Sequence, residues 1–389
     1  MLLKTTSDVL IIGSGINGSA AAYYLAKSGV DVTVLEGASV IGGGGSSRNG
    51  GGVRQSGRDS RELPYVMWGI ENLWPTLSEE LDADTEYTQK GNLRLGKTQA
   101  HLDKLAQLAQ SAGKVGLDVR MIDAMEAREI NPYLSEEVAG ASWCPTDGHA
   151  NPLKTTLAFY RAARRLGARF YTNAIVERIE KVHGRARKVV LKNGMVFEAD
   201  CIIVAAGYAS RKIVNSVGID VPMDLKVSET LVTETQPHMF DQMLGTAAAD
   251  FYGHQTKDGS FVFGGSAGYD QFVRHDETTF STPPASSLHG PCICRAVTGY
   301  FPSLEHAKII RCWGGWTDLC ADGVPVISPV DEVPGLILAC AFTGHGFGSG
   351  PVVGLMLAQM ARGEETVVDL SALRYDRFAA KDKKNKKAA

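Results

Sequence analysis

The sequence predicts an α/β protein: an open, Rossmann-like parallel sheet assembled from separated segments, joined to a second, α+β domain with a mixed or antiparallel sheet. Three observations carry this. A strand–glycine turn–helix–strand unit opens the chain, from Asp8 to Glu36. Two further buried strand patterns, Cys201 to Ala205 and Gly335 to Ala341, lie far downstream, and each runs into small residues. Between these pieces, alternation and hairpin signals describe a different kind of sheet.

The first unit is the most informative. Val9 to Ile12 is an apolar strand that runs into GSGING, with glycines at Gly13, Gly15 and Gly18. An alanine-rich helix, Ala20 to Lys27, follows, then Gly29 and a second apolar strand, Val32 to Leu35, ending on Glu36. Gly13 permits the tight turn out of the strand, and Gly15 lets backbone approach a pyrophosphate. Gly18 lets the helix pack closely on the sheet, and the free N–H groups at the helix start, around Ile16 and Asn17, point at phosphates. Glu36, near the spacing of about 20 residues, can accept hydrogen bonds from a ribose diol, with Gly37 beside it. A bare GxGxxG is weak; one framed by two strands with the acid in register marks a dinucleotide clamp.

A second glycine cluster comes next: Gly42 to Gly45, then SSRNGGGVRQ from Ser46 to Gln55. A nicotinamide dinucleotide needs no such loop. A flavin dinucleotide does, because its ring lies far from the clamp and backbone must follow it there. Gly45, Gly50 and Gly51 permit that approach, while Ser46, Ser47, Arg48 and Asn49 can meet phosphate, ribityl and ring edges.

The later elements complete the cofactor case. An amphipathic helix, Leu153 to Leu166, precedes a strand pattern from Gly167 to Ile179, on which Val176 is a candidate cofactor contact. In LKNGMVFEAD, Asn193-Gly194 signals a hairpin with a type I′ turn. The strand Cys201 to Ala205 ends in Ala205, Ala206 and Gly207, small residues that leave room for a ligand at a strand's C-terminal edge. After Gly335 to Ala341 comes TGHGFGSGP and a helix, Val352 to Arg362. Gly344, Gly346, Phe347 and Gly348 thus place a helix N-terminus where its dipole can stabilise charge on the pyrimidine side of a reduced flavin. His345 is read as a spacer or hydrogen-bond donor to the cofactor; no second ligand keeps metal spacing with it.

Composition bounds the rest. A chain of 389 residues suggests two domains, and 44% hydrophobic with 21% charged residues is ordinary for a globular protein. A net charge of -3 argues against a nucleic-acid surface. The seven cysteines form no CxxC pair, which suits a reducing cytoplasm, and Cys292-x-Cys294 lacks a four-ligand pattern. No metal site, signal peptide or membrane span is expected. The Lys-rich run Lys381 to Lys387 reads as a solubilising end or a membrane or partner anchor.

With these segments in order, the chain resembles the D-amino acid oxidase superfamily of FAD enzymes. Within it, the resemblance is strongest to β subunits of heteromeric sarcosine oxidases and of proline, hydroxyproline and opine dehydrogenases, together with glycine oxidase. It rests on GSGINGSAAAYYLAKSGVDVTVLE, SSRNGGGVRQ, DGHANPLKTTLAFYRAARRLGA, IIVAAGYAS and GVPVISPV…GLILACAFTGHGFGSGPVVGLMLA, and reaches to about Gly363. The resemblance implies an FAD-binding domain of glutathione-reductase type from residues 1–88, 146–222 and 314–389, with 364–389 a flexible tail. A substrate domain would come from 89–145 and 223–313. It also implies that Asp322, ahead of a Pro and a strand, lies at the flavin. Two departures imply non-covalent FAD: Gly315 stands where monomeric sarcosine oxidases tether flavin through a Cys, with Cys320 out of register, and Asn151 or Pro152 stands where a His binds FMN, with His149 nearby.

The family's reaction oxidises a carbon–nitrogen bond beside a carboxylate, with hydride passing to flavin N5. The protein must grip the carboxylate, orient the C–H bond and exclude water. Arg54, just past the glycine loop, is the first candidate for the carboxylate, the other reading being cofactor phosphate or surface. In DFYGHQTKDGSFVFGG, two strands joined by Lys257-Asp258-Gly259, alternation puts Tyr252 and His254 on one face, candidates to line the substrate site. Trp313 and Trp316 are secondary wall candidates. The function expected is that of a catalytic β subunit oxidising a secondary-amine amino acid of opine, D-hydroxyproline, proline or sarcosine type. Partner subunits, with FMN or an iron–sulfur cluster in or shared with them, belong to that expectation. The alternatives are a self-sufficient oxidase of glycine, sarcosine or a D-amino acid releasing peroxide, and a non-catalytic flavin scaffold. A glycerol-phosphate-type dehydrogenase would want a basic phosphate pocket, and the substrate-domain segments show no such cluster.

Overall fold

The apolar strand patterns converge on one eight-stranded sheet. Its order is Val326–Pro329, Leu336–Cys340, Val196–Val204, Thr6–Ile12, Val32–Leu35 and Arg169–Tyr171. All neighbours are parallel except the first pair. The structure, a computed structural model, describes residues 4–265, 271–273 and 288–378; the Lys-rich run Lys381 to Lys387 lies outside them. The strand Val196–Val204 does two jobs. Its end pairs with the central parallel strand, while its start pairs antiparallel with Arg185–Leu191, which in turn pairs with Val176–Val182.

Three helices, Ile16–Lys27, Pro152–Arg165 and Gly350–Ala361, cover one face of this sheet, and the meander with the short helix Ser210–Asn215 covers the other. The helix pairs approach closely because small residues meet: a side chain at Gly354 would lie 2.3 Å from the Ala20 Cβ. The second sheet is nine-stranded and mixed. It runs from Gln271–Val273 through Met223–Thr235, Ser260–Gly265, Tyr252–Gln255, Met243–Thr246, Asn92–Gly96 and Gly140–Cys144 to Arg120–Asp123, with Ile309–Cys320 also paired to Met223–Thr235. Helix His289–Tyr300 packs on its phenylalanine-rich core. A two-stranded ribbon, Gly52–Val53 with Gly148–His149, lies beside the cleft-forming loop.

Two local expectations change. The stretch from Gly167 to Ile179 is two strands, because Asn173 takes a left-handed conformation (φ 54°). Asn173 and Ala174 there donate to the Ala38 and Glu36 carbonyls, folding the chain over the clamp acid. The hairpin at Asn193-Gly194 forms, but only Gly194 is left-handed (φ 83°) and its N–H closes on the Leu191 carbonyl. That is a three-residue loop with a glycine bulge rather than type I′, which would need positive φ at both central residues.

Candidate functional site

Between the two sheets runs a cleft of about 510 Å³. Its floor is backbone. Gly13 (φ 104°) leaves the first strand so close to its neighbour that an added Cβ would sit 2.4 Å from the Ala205 carbonyl oxygen. Gly18 does not line the cleft; a Cβ there would meet the Gly13 oxygen at 2.0 Å, so its hydrogen lets the helix start against the turn. Gly15 is the helix N-cap, and the Ser46 hydroxyl accepts from the Ile16 N–H at 2.9 Å. Glu36 accepts from the Ser14 N–H and hydroxyl with one oxygen and from the Ala38 N–H with the other. The clamp is therefore braced by its own chain, at a helix start suited to anions.

The other cofactor candidates are brought together along this floor. Asn17, Gly37, Gly45, Arg48, Asn49, Gly50, Val176, Ala205, Ala206 and Gly207 line it, with Gly344, His345, Gly346, Phe347 and Gly348 at the far end. Asn49 folds back on its own loop, donating to the Gly45 and Ser46 carbonyls and accepting from the Gly51 N–H. Arg48 donates to the Gly43 carbonyl. Two residues lie just outside: Ser47, half-buried, whose hydroxyl donates to the Gly44 carbonyl, and Gly51, whose missing Cβ would meet the Ala150 oxygen at 2.4 Å. Glycines that spare backbone collisions along an extended floor, two helix N-termini and a braced acid fit an extended dinucleotide.

Asp322 is placed elsewhere. Two guanidiniums, Arg61 at 2.8 Å and Arg377 at 3.0 Å, draw its carboxylate away from the cleft, and they hold it well below the usual carboxylate range despite burial. The acid that does line the cleft is Asp318, which no sequence pattern singled out. It accepts from the Ala341 N–H at 2.8 Å, and its carbonyl accepts from Thr343. Ala341 (φ 60°) and Thr343 (φ 54°) are both left-handed, a costly state for a β-branched residue, so Asp318 braces a strained entry into the glycine loop. Burial pushes its carboxyl up to about 6. Alternation from Trp316, which also lines the cleft, was the signal available for Asp318; Trp313 lies outside, donating to the Arg48 carbonyl.

His345 is oriented from behind. Its Nδ1 lies 3.1 Å from Glu62, a carboxylate with no exposed surface, which also pairs with Arg58 at 3.0 Å. Arg58 in turn donates to the His345 carbonyl. Burial would push the Glu62 carboxyl up, but His345 and Arg58 outweigh it and hold it below the usual range. Burial lowers the His345 pKa, against the Glu62 contact that raises it; Nδ1 is turned to Glu62, which leaves Nε2 as the other ring nitrogen for a ligand. No motif marks Glu62; only the Arg58–Glu62 spacing of four hints at the pair.

On the upper wall, Arg54 and Tyr252 lie together, the guanidinium 5.9 Å from the ring centroid. Among the described residues Arg54 has no ion pair; burial and the neighbouring Arg58 charge lower its affinity for its proton, without compensation from a bonded acid. His254 shares the face of Tyr252 but stacks on His149 at 3.9 Å, out of the cleft, with its Nδ1 buried and without a partner. Burial pushes His254 well below its ordinary pKa and His149 down to about 4, so both are neutral. Alternation placed the face correctly but not the depth. Cys320 contacts Asp322, away from the cleft.

A family model described as FAD dependent oxidoreductase (DAO) matches residues 8–360. The beta chain of sarcosine oxidase from Rhizobium meliloti (strain 1021) is 26% identical over 385 residues, 96% of this chain and 89% of that protein. A subunit of opine oxidase from Rhizobium meliloti is 25% identical over 386 residues, 95% of this chain and 98% of that protein. Among solved structures, L-proline dehydrogenase from P.horikoshii superposes with a TM-score of 0.87 at 27% identity, covering 97% of this chain and 99% of that one. Glycine oxidase from Geobacillus kaustophilus gives 0.87 at 23% identity over 96% and 99%, a likeness of fold.

Proposed function

The chain belongs to the DAO family of FAD-dependent oxidoreductases, and from that premise we propose that it oxidises the carbon–nitrogen bond of a secondary-amine amino acid as the catalytic β subunit of a multi-subunit dehydrogenase. FAD, the cofactor expected for this family, accepts the hydride when bound. The glycine floor, Ser46, Arg48 and the two helix N-termini would hold it. Neither Cys320 nor His149 lines the cleft, which supports binding without a covalent link. We divide the domains by the same logic: among the described residues, those of 4–88, 146–222 and 314–363 hold cofactor, and those of 89–145 and 223–313 cap it.

The observation that carries the reading is Arg54, a cleft-facing guanidinium that no acid pairs among the described residues. A substrate carboxylate supplies the missing partner, gripped bidentately. Tyr252 packs against the same guanidinium and walls the site. His345, held by Glu62, lines the same cleft. The names of the relatives, subunits of sarcosine and opine oxidases, support partner subunits. Among the described residues no helix is long and apolar enough to cross a membrane; we place the enzyme in the cytoplasm. The second reading, a self-sufficient peroxide-releasing oxidase, draws on the glycine oxidase relative from Geobacillus kaustophilus.

Anaerobic bleaching of the flavin across a panel of amino acids and opines tests this. Arg54→Ala should weaken kcat/KM for the best substrate by roughly tenfold to a hundredfold, the loss of a charge-assisted contact. Unchanged kinetics would favour the scaffold reading. Fast oxygen consumption with peroxide by the pure chain, in place of reduction of an artificial acceptor, would favour the oxidase.

A further inference from the structure

The glycine loop that enters the helix Gly350–Ala361 carries a single titratable side chain, His345, and both its backbone and its ring are held. The His345 N–H donates to the Phe342 carbonyl at 2.8 Å. Its carbonyl accepts from the Arg58 guanidinium at 3.0 Å and from the Ser349 hydroxyl at 3.2 Å. With the backbone fixed, ring Nδ1 meets Glu62 at 3.1 Å. Glu62 is held below the usual carboxylate range, and an ionised carboxylate only accepts, so the hydrogen of this contact lies on Nδ1. Glu62 has no exposed surface, whereas the His345 side chain is 27% exposed and lines the cleft. The open edge of the ring is therefore the one that carries Nε2.

The groups around this ring pull in opposite directions. Burial and the charges of Arg58 and Arg54 lower its affinity for a proton, and Glu62 raises it by contact and by charge. Behind Glu62 stands the buried Tyr65 hydroxyl, which donates to the same carboxylate at 3.3 Å. On balance the His345 pKa falls below its ordinary 6.5, so Nε2 is open to a proton near neutral pH. Arg54 and Arg58 line the same end of the cleft, which is the end where the substrate carboxylate is read above. Hydride transfer leaves one negative charge on the cofactor. A negative charge arriving beside an imidazole raises its affinity for a proton, and a carboxylate already bonded to the other nitrogen adds to that.

Resting on the flavin placement of the function proposed above, we propose that His345 takes a solvent proton on Nε2 when the cofactor is reduced and returns it on reoxidation. Glu62 is the positioning residue: it aims the ring and stabilises its cationic form. The two electrons and the hydrogen leave the substrate together for the flavin. The proton comes separately, from water, and rests on the imidazole, so the new negative charge is offset inside the cleft.

The test counts protons rather than turnover. Redox titration of the FAD-loaded protein with dithionite and a mediator dye, repeated across about pH 6 to 8, gives the midpoint potential against pH, and the slope counts protons taken up per two electrons. The wild type should take up about two, and His345→Asn and Glu62→Gln about one each. Equal counts in the wild type and His345→Asn overturn the inference, and a wild-type count in Glu62→Gln overturns the part given to Glu62. Should Glu62→Gln not fold, nitrogen-15 NMR of the wild type decides, with the His345 signals assigned by their loss in His345→Asn. Nδ1 protonated in both redox states and Nε2 only in the reduced one supports the proposal; an Nε2 that does not change overturns it. Neither measurement needs an amine. If dithionite bleaches the flavin but no amine does, the function proposed above fails while the proton count still decides this inference; a chain that binds no flavin overturns both.

Discussion

The two walls of the cleft are built from different materials. On the clamp side, backbone does the work: glycines remove side chains where carbonyls stand 2.0 to 2.4 Å from the would-be Cβ, and helix starts supply N–H groups. Elsewhere around the cleft, charged side chains from distant segments meet: Arg54 beside Tyr252, and the Arg58–Glu62–His345 chain at the far end of the floor. A backbone site tolerates drift elsewhere in the sequence because only glycine satisfies it. A side-chain site can be re-aimed by single exchanges, which suits a family whose members are named for sarcosine, opines and glycine.

Gly13→Ala should break the clamp side most sharply. The new Cβ collides with the Ala205 carbonyl in a left-handed backbone, and the strain of several kcal/mol falls on the turn that faces the pyrophosphate. Purified Gly13→Ala should carry less than about a tenth of the wild-type flavin absorbance per chain, recoverable only partly with excess FAD. Full colour would mean that the turn relaxes and that the cradle is less rigid than the geometry implies.

How much of this could be read in the sequence follows the same divide. The clamp was legible because GSGING between two apolar strands states its own geometry: Gly13 needs positive φ and Gly18 needs contact with the turn. The second sheet was legible as a class, since hairpins such as Tyr252 to Gly265 announce themselves by alternation. Glu62 and Asp318 were not. Each takes its meaning from a residue far away in sequence (His345 and Ala341), and no local pattern encodes such a meeting. His254 shows the limit from the other side: period-two alternation gives a face, whereas burial against His149 depends on the ribbon packed over it.

Glu62→Gln probes the side-chain wall. It leaves Arg58 buried without its anion and takes from His345 the charged acceptor that fixes its tautomer. Removing one partner of a buried pair costs about 3–5 kcal/mol, so the denaturant midpoint should fall well before flavin affinity does. The pH dependence has a definite sign. Glu62 is held below its ordinary value of 4.5, so its contribution is complete above that pH and is lost as pH falls through the lower folded-state value. Stability of the wild type should therefore fall faster than that of Glu62→Gln in acid below about pH 4.5. Parallel acid limbs would mean that the Glu62 charge is not what the fold relies on.

The smallest effect is expected at Asp322, and it separates resemblance from geometry. The family pattern implied that this acid lies at the flavin, yet its carboxylate is held by Arg61 and Arg377 outside the cleft, while Asp318 braces the glycine loop. Asp322→Asn removes a charge from a partly exposed pair of bridges, which should cost about 1–2 kcal/mol of stability, with the flavin dissociation constant within about twofold of wild type. Asp318→Asn tests the other half of the contrast: it keeps the shape but weakens the acceptor for the Ala341 N–H, and flavin affinity rather than stability should suffer. If Asp322→Asn released flavin and Asp318→Asn did not, the order of importance read from these two carboxylates would be reversed. The bridge to Arg61 and Arg377 would then be setting the loop's position from a distance.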